Sequence, residues 1–128
     1  MKRTLLIAAV IIAALFVFFY KSPVISKKNP SSVSVTIDTG TTVATVSGVM
    51  AQNAYQALQG ATTREHLVLK SKQYDFGVFV EQIGTFANTK TKVWIYFVNG
   101  KAGTVAADKQ PVANRDTVEW QYTTPSSE

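Results

Sequence analysis

The sequence has 128 residues, thirteen Lys/Arg against eight Asp/Glu, a single histidine and no cysteine. Without cysteine there can be no disulfide framework, thiolate metal site, cysteine nucleophile or cysteine-linked lipid anchor. The net charge of +5 belongs to the first 28 residues, where Lys2, Arg3, Lys21, Lys27 and Lys28 stand without an acid, while the remainder carries eight charges of each sign. A nucleic-acid partner needs a basic footprint on the folded part of the chain, so none is expected.

Residues 1–28 predict an N-terminal transmembrane or signal helix. Thr4 to Tyr20 is uncharged and as a helix would span about 25 Å, slightly less than a hydrocarbon core of ~30 Å. Phe16, Phe18, Phe19 and Tyr20 gather at its outer end, where Lys21 can snorkel. Two outcomes stay open: an uncleaved single-pass anchor through residues 4–20, or a signal cleaved near Ser26 to release a secreted protein. Both put the rest of the chain outside the cytoplasm. Lys27 to Ser34, with Pro30 and several serines, reads as a linker.

Residues 29–123 have the length of one domain, and residues 124–128 are a polar tail. Ser32 to Asp38 alternates, with Val33, Val35 and Ile37 on one face, as a half-buried strand does. Thr39-Gly40 is a turn, and Thr41 to Val46 can return as a short strand. A helix is expected next, from a Ser47 N-cap through Ala54, Ala57 and Leu58 to a stop at Gly60. Leu67 to Leu69 reads as a short strand and Gln73 to Ile83 as a longer one, with Gly77 marking a bulge or a close backbone approach. Gly84 to Lys92 is polar and reads as a loop.

Val93 to Val98 is apolar on both faces: Val93, Ile95 and Phe97 on one, Trp94, Tyr96 and Val98 on the other. A strand of this kind lies at the centre of a fold. Asn99-Gly100 supplies the two positive-φ residues of a type I′ hairpin, with Ala102 to Ala107 as the return. Pro111 to Asp116 is a turn region in which Asp116 orders backbone N–H groups. Thr117 to Tyr122 closes the domain, Val118, Trp120 and Tyr122 alternating with Glu119 and Gln121. The element order is β-β-α followed by several strands, an α+β domain with the helix packed on one face of a mixed sheet.

The series Ala57-Leu58, YDFGVFVEQI, VWIYFVNGK and RDTVEWQY resembles the DUF4430 family, the transcobalamin-like C-terminal domain. Tyr74, Gly77, Phe79, Val80, Ile83 and Gly84 carry the first part of the resemblance. Trp94, Tyr96, Val98, Asn99 and Gly100 carry the second, and Asp116, Val118, Trp120 and Tyr122 the third. Asn114-Arg115 departs from the Gly that often precedes the Asp. The resemblance implies a β-grasp-like fold and kinship to the small domain that closes over cobalamin in carriers such as transcobalamin. Gly77, Asn99, Gly100 and Asp116 are its structural positions.

Chemistry has little to work with. His66, in the polar TTREHL, reads as an exposed residue, not as a catalytic base or a metal ligand. Asp108, Asp116 and Glu119 read as turn and surface carboxylates, and Asp75-Phe76-Gly77 has none of the companions of a kinase motif. The reading is therefore a non-enzymatic binding module with no catalytic or metal residues. Its candidate ligand-binding residues are Trp94, Tyr96, Trp120 and Tyr122, which equally well form a second core face. Cobalamin enters as a ligand through the resemblance alone. Otherwise the partner is an unidentified flat small molecule or an envelope protein. A concave pocket lined by Trp94 or Trp120 would favour the small molecule. A flat aromatic patch or an open sheet edge would favour the alternative, an adhesion-type domain contacting protein or cell wall.

Overall fold

The computed structural model describes residues 29–125, so the expected membrane helix and the last three residues of the tail lie outside the described residues. Ser31–Asp38 forms β1, with Val33, Val35 and Ile37 buried as the alternation predicts. Val43–Ala51 forms β2, antiparallel to it. The pairing slips between Val33 and Val35, because Ser47 and Gly48 together face Ser34. Gly48 adopts φ +67 in this bulge.

The bulge corrects the expected start of the helix. It shifts the parity of β2, so Val46, Val49 and Ala51 are buried. The three-residue step from Val46 to Val49 imitates helical spacing. Ser47 is therefore a strand residue, and the N-cap of α1 (Ala54–Arg64) is Asn53, whose side chain accepts from the Gln56 N–H at 2.8 Å. Gly60 lies inside α1 and does not end it. A Cβ there would stand 2.6 Å from Val49 Cγ1, so glycine lets the helix lie closely on β2. Ala54, Ala57, Leu58 and Ala61 form the buried face.

The single strand expected over residues 73–83 is a hairpin. Leu69–Tyr74 is β3 and Gly77–Ile83 is β4, joined by Asp75-Phe76. Gly77 sits at the turn, at φ +131, with Ala106 Cβ and Asp108 Oδ1 each 2.5 Å from where its Cβ would be. The segment read as a loop contains β5 (Phe86–Ala87), paired with the end of β4. Val93–Val98 is β6, and Asn99 (φ 51) and Gly100 (φ 82) turn it into β7, which is only Lys101–Ala102. A short 3-10 turn, Ala107–Lys109, precedes β8 (Thr117–Thr123).

The domain is α+β, mostly strand, with one described helix and two sheets. A five-stranded sheet runs β2-β1-β8-β6-β7, with β1 and β8 parallel at its centre. The strands β3-β4-β5 form a second sheet instead of joining the first. One face of the large sheet carries Val33, Val35, Ile37, Val118, Trp120, Trp94 and Tyr96 into the core. α1 covers the β1–β2 half of that face, and the small sheet brings Val80 and Ile83 against the β6–β8 half. The opposite face is polar on β1 and β8, with Thr36 Oγ1 of β1 meeting Thr45 Oγ1 of β2 at 3.3 Å, and half-buried at Val93, Ile95 and Phe97 on β6. The apolar face of β6 that contains the large aromatics is thus the core face. Among the described residues no helix is long and apolar enough to cross a membrane.

Candidate functional site

The register of β6 on β8 sets Trp94 opposite Tyr122 and Tyr96 opposite Trp120. The four aromatics therefore share one face, as their alternation predicts. Trp94 and Tyr122 have ring centroids 5.2 Å apart, and Tyr96 and Trp120 5.3 Å. Trp94, Tyr96 and Trp120 are buried and Tyr122 is half-buried.

Their polar ends separate them. Trp94 Nε1 donates to the Phe86 carbonyl at 2.8 Å, and Tyr122 Oη to the Ala87 carbonyl at 2.8 Å. Asn88 adds to this clamp: its Oδ1 accepts from the Trp94 N–H at 2.9 Å and its Nδ2 donates to the Val80 carbonyl at 2.9 Å. Trp94 and Tyr122 thus fasten the small sheet to the large one. Tyr96 Oη donates to the Val105 carbonyl at 2.5 Å, holding down the strap 103–106. Burial first, and then the charge of Asp108, raise the Tyr96 pKa above its ordinary value of 10.

Trp120 is different. Only 2% of it is exposed, and its indole N–H has no acceptor within reach. It lines a cavity of about 270 Å³ between β4, β6 and the strap. Phe76 and Phe79 form the outer lip and Val80, Trp94 and Tyr96 the inner wall. Gly103 brings the strap close, since a Cβ there would lie 2.0 Å from Tyr96 Cζ. The lip residues and Gly103 were not anticipated as site residues. Gly77 does make the close backbone approach expected of it, and the Phe76 and Phe79 positions become legible only once it is also seen to end a turn instead of forming a bulge. Nothing in the sequence signals that one of two tryptophans lacks an acceptor.

The other singled-out positions have structural work. Asn99 Nδ2 donates to Asp116 Oδ1 at 2.9 Å, while Asn99 Oδ1 accepts from the Thr117 N–H at 2.9 Å. Asp116 Oδ2 accepts from the Ala113 N–H at 2.8 Å, as expected of a turn-ordering aspartate. Arg115 takes φ 70 where the resemblance has glycine nearby, and its N–H still donates to the Ser32 carbonyl at 2.9 Å. Asp108 Oδ1 accepts from the Val78 N–H at 2.9 Å, fixing the start of β4. His66 is exposed at φ 54 just past α1. Among the described residues no group of three His, Cys, Asp or Glu side chains could hold a metal ion.

Residues 44–124, well over half of the chain, match the family described as Domain of unknown function (DUF4430). The chain belongs to the DUF4430 family. The fold recurs in solved structures. Haptocorrin, in a structure of its complex with Cbi, superposes with a TM-score of 0.63 at 13% identity over 77% of this chain. That alignment covers 26% of the haptocorrin chain, so this chain is similar to one part of a much larger protein. A candidate metal-binding protein from Ruminococcus gnavus superposes with a TM-score of 0.57 at 19% identity, over 75% of this chain and 99% of that one. At these identities the likeness is one of fold. Comparison with curated proteins returns no match.

Proposed function

We propose that this DUF4430 chain is a membrane-anchored, extracytoplasmic, non-enzymatic binding module. Its β-grasp-like domain would hold part of a flat small molecule in the cavity between β4, β6 and the 103–106 strap. The β-grasp reading is supported by the parallel β1–β8 pair at the centre of the large sheet, with α1 across one face.

The observation that carries the binding reading is the mainly apolar cavity walled by Trp120, whose indole N–H lies buried and without an acceptor behind that wall. A buried donor left unmatched costs about 1–3 kcal/mol. A ligand that shifted a neighbouring wall side chain and set an acceptor against the N–H would recover that cost, while the rings of Phe76, Phe79 and Tyr96 receive a flat apolar body. The volume is just below the ~300–1,000 Å³ of typical ligand pockets, so the site takes one ring or arm of a larger molecule. Cobalamin, the ligand suggested by the family, fits this reading only as a molecule resting on the lip with one group inserted. No resident cofactor is part of it.

The non-enzymatic reading is supported by the occupation of the carboxylates. Asp108 and Asp116 are engaged by backbone N–H groups, and His66 stands apart on the surface. The alternative, an adhesion domain using strand addition, has weaker support. The free edge of β2 is blunted by its bulge, whose Ser47 and Gly48 carbonyls are capped by Arg64 Nη1 and Nη2, each at 2.7 Å. β3, the other long edge, carries the exposed Lys70 and Lys72.

Calorimetric titration of the full chain in detergent tests the reading, using cobalamin and small heteroaromatics bearing a carbonyl or ring-nitrogen acceptor. We expect saturable one-to-one binding by at least one member of the panel. Trp120→Phe, which keeps a ring but removes the N–H, should weaken that binding roughly three- to tenfold, the worth of one hydrogen bond. Binding equally tight in Trp120→Phe would refute the site, and no heat from any member would leave the aromatics as core.

A further inference from the structure

A second cleft, of about 530 Å³, lies beside the start of β1. Ser32 and Ser34 of β1, Gly48 of the β2 bulge, and Asn114 and Arg115 of the turn before β8 line it. It shares no lining residue with the aromatic cavity. Backbone hydrogen bonds fix its walls. The Arg115 N–H donates to the Ser32 carbonyl at 2.9 Å, and the Ser34 N–H to the Asp116 carbonyl at 3.0 Å. The turn therefore runs alongside β1 up to the parallel β1–β8 pairing, which begins at Ser34 and Thr117. The Ser32 N–H donates to Asn114 Oδ1 at 2.9 Å, so Nδ2 is left as the donor of that carboxamide. No atom stands within 4 Å of where a Gly48 Cβ would be, and the cleft stays open on that side.

The charge around the cleft has one sign. Among the described residues the Arg115 guanidinium has neither a hydrogen-bond acceptor nor an ion pair, and no carboxylate lines the cleft. Asp116, next in sequence, is turned to other work, its Oδ1 held by Asn99 Nδ2 and its Oδ2 by the Ala113 N–H. Behind the Gly48 wall stands a second guanidinium, Arg64, bonded to the Ser47 and Gly48 carbonyls at 2.7 Å each. Lys27 and Lys28, which precede β1 in the chain, carry the same sign.

Arg115 also holds a conformation it does not favour. Its φ of 70 lies in the left-handed region, which glycine enters freely and a long side chain does not. Glycine would serve the turn, so the backbone does not account for an arginine here. Residues kept in such conformations gather at binding sites.

We propose that this cleft binds a phosphate-type oxyanion, carried by a soluble phosphate or by a lipid headgroup. The planar fork of Arg115 pairs with two phosphate oxygens. The Ser32 and Ser34 hydroxyls and Asn114 Nδ2 supply donors for the others. The open side of the cleft leaves room for the rest of an ester. This site is separate from the aromatic cavity, and its test does not depend on the ligand proposed there.

The sequence holds three arginines, Arg3, Arg64 and Arg115, so few Nε–H cross-peaks need to be told apart. The Arg115 peak is the one absent from Arg115→Gly, a variant that suits φ 70 and should fold with an equal or higher Tm. The full chain in neutral detergent is titrated with inorganic phosphate, and separately with micelles doped with phosphatidylglycerol. Sodium chloride at matched ionic strength is the control for screening. We expect the Arg115 peak to move saturably with at least one of the two probes and not with chloride. Arg115→Gly should weaken that binding at least about tenfold, the worth of a charge-assisted pair, and Ser34→Ala roughly three- to tenfold. A response to inorganic phosphate supports the site with a soluble phosphate as its source, and a response to the doped micelles alone supports it with a headgroup. Binding as tight in both variants as in the parent chain overturns the site. So does an Arg115 peak that neither probe moves, or that chloride moves as far.

Discussion

Two tryptophans face the same core and differ in a single hydrogen bond. Trp94 has its N–H satisfied by the Phe86 carbonyl, and Trp120 has no acceptor. Replacing each by phenylalanine removes similar ring bulk, so the difference between the two reports the polar atom. Trp94→Phe should cost more stability than Trp120→Phe by about 1–3 kcal/mol, measured by urea unfolding, because it strands a buried carbonyl while the other change removes a stranded donor. Equal losses would mean that the Trp120 N–H is satisfied in solution. Tyr96 makes a separate prediction. Its pKa is raised above 10 in the fold and lies at 10 in the unfolded chain. Above pH 10 the unfolded state releases a proton that the folded state keeps. The associated stability is whole below pH 10 and is lost as pH climbs toward the folded value. Alkaline titration of tyrosinate absorbance should show Tyr96 ionising after exposed tyrosines, and Tyr96→Phe should flatten the decline in stability above pH 10.

At the scale of elements, glycines and one arginine decide where strands stop. Gly77 combines φ +131 with a backbone pressed against Ala106 and Asp108. Gly77→Ala should destabilise the domain by about 2 kcal/mol or more, with a lowered Tm, since both the conformation and the space refuse a Cβ. Arg64 spans from the last turn of α1 to the bulge carbonyls of Ser47 and Gly48. Arg64→Ala should cost about 1–2 kcal/mol, and lysine should restore little because it lacks the two-pronged fork. These same places mark the limit of the sequence as a guide. β1, β6 and β8 are legible because strict alternation meets a single buried face. So is the Asn99-Gly100 turn, where both residues require positive φ. The beginning of α1 is not legible, because the bulge breaks the parity of β2 and leaves a helix-like spacing. The β3–β4 hairpin is missed because its exposed Phe76 continues an apolar run straight through the turn. Hydrophobicity marks where a chain can be buried, and here an unburied aromatic carries the same signal.

At the scale of the whole molecule, a large sheet is covered on one face by a helix and by a smaller sheet. The cavity lies where that smaller sheet and the strap fail to close completely over β6 and β8. The four aromatics singled out by their alternation do come together, yet only Trp120 keeps an uncommitted polar group. Which of the four that would be depends on carbonyls contributed by residues 86, 87 and 105, and no local pattern reveals it. One atom, Trp120 Nε1, therefore separates a binding face from a plain core. The most direct measurement is the ¹H–¹⁵N spectrum of the full chain in detergent during titration with the heteroaromatic panel. The sequence holds two tryptophans, so two indole cross-peaks report the whole question. The account predicts that one of them, the peak absent from Trp120→Phe, moves saturably with ligand, while the Trp94 peak, held by Phe86, moves little. If the Trp120 peak stays fixed as another residue's signals respond, the binding site lies elsewhere. If neither indole moves at millimolar ligand and no other signal does, the aromatic face is core and the binding reading is wrong.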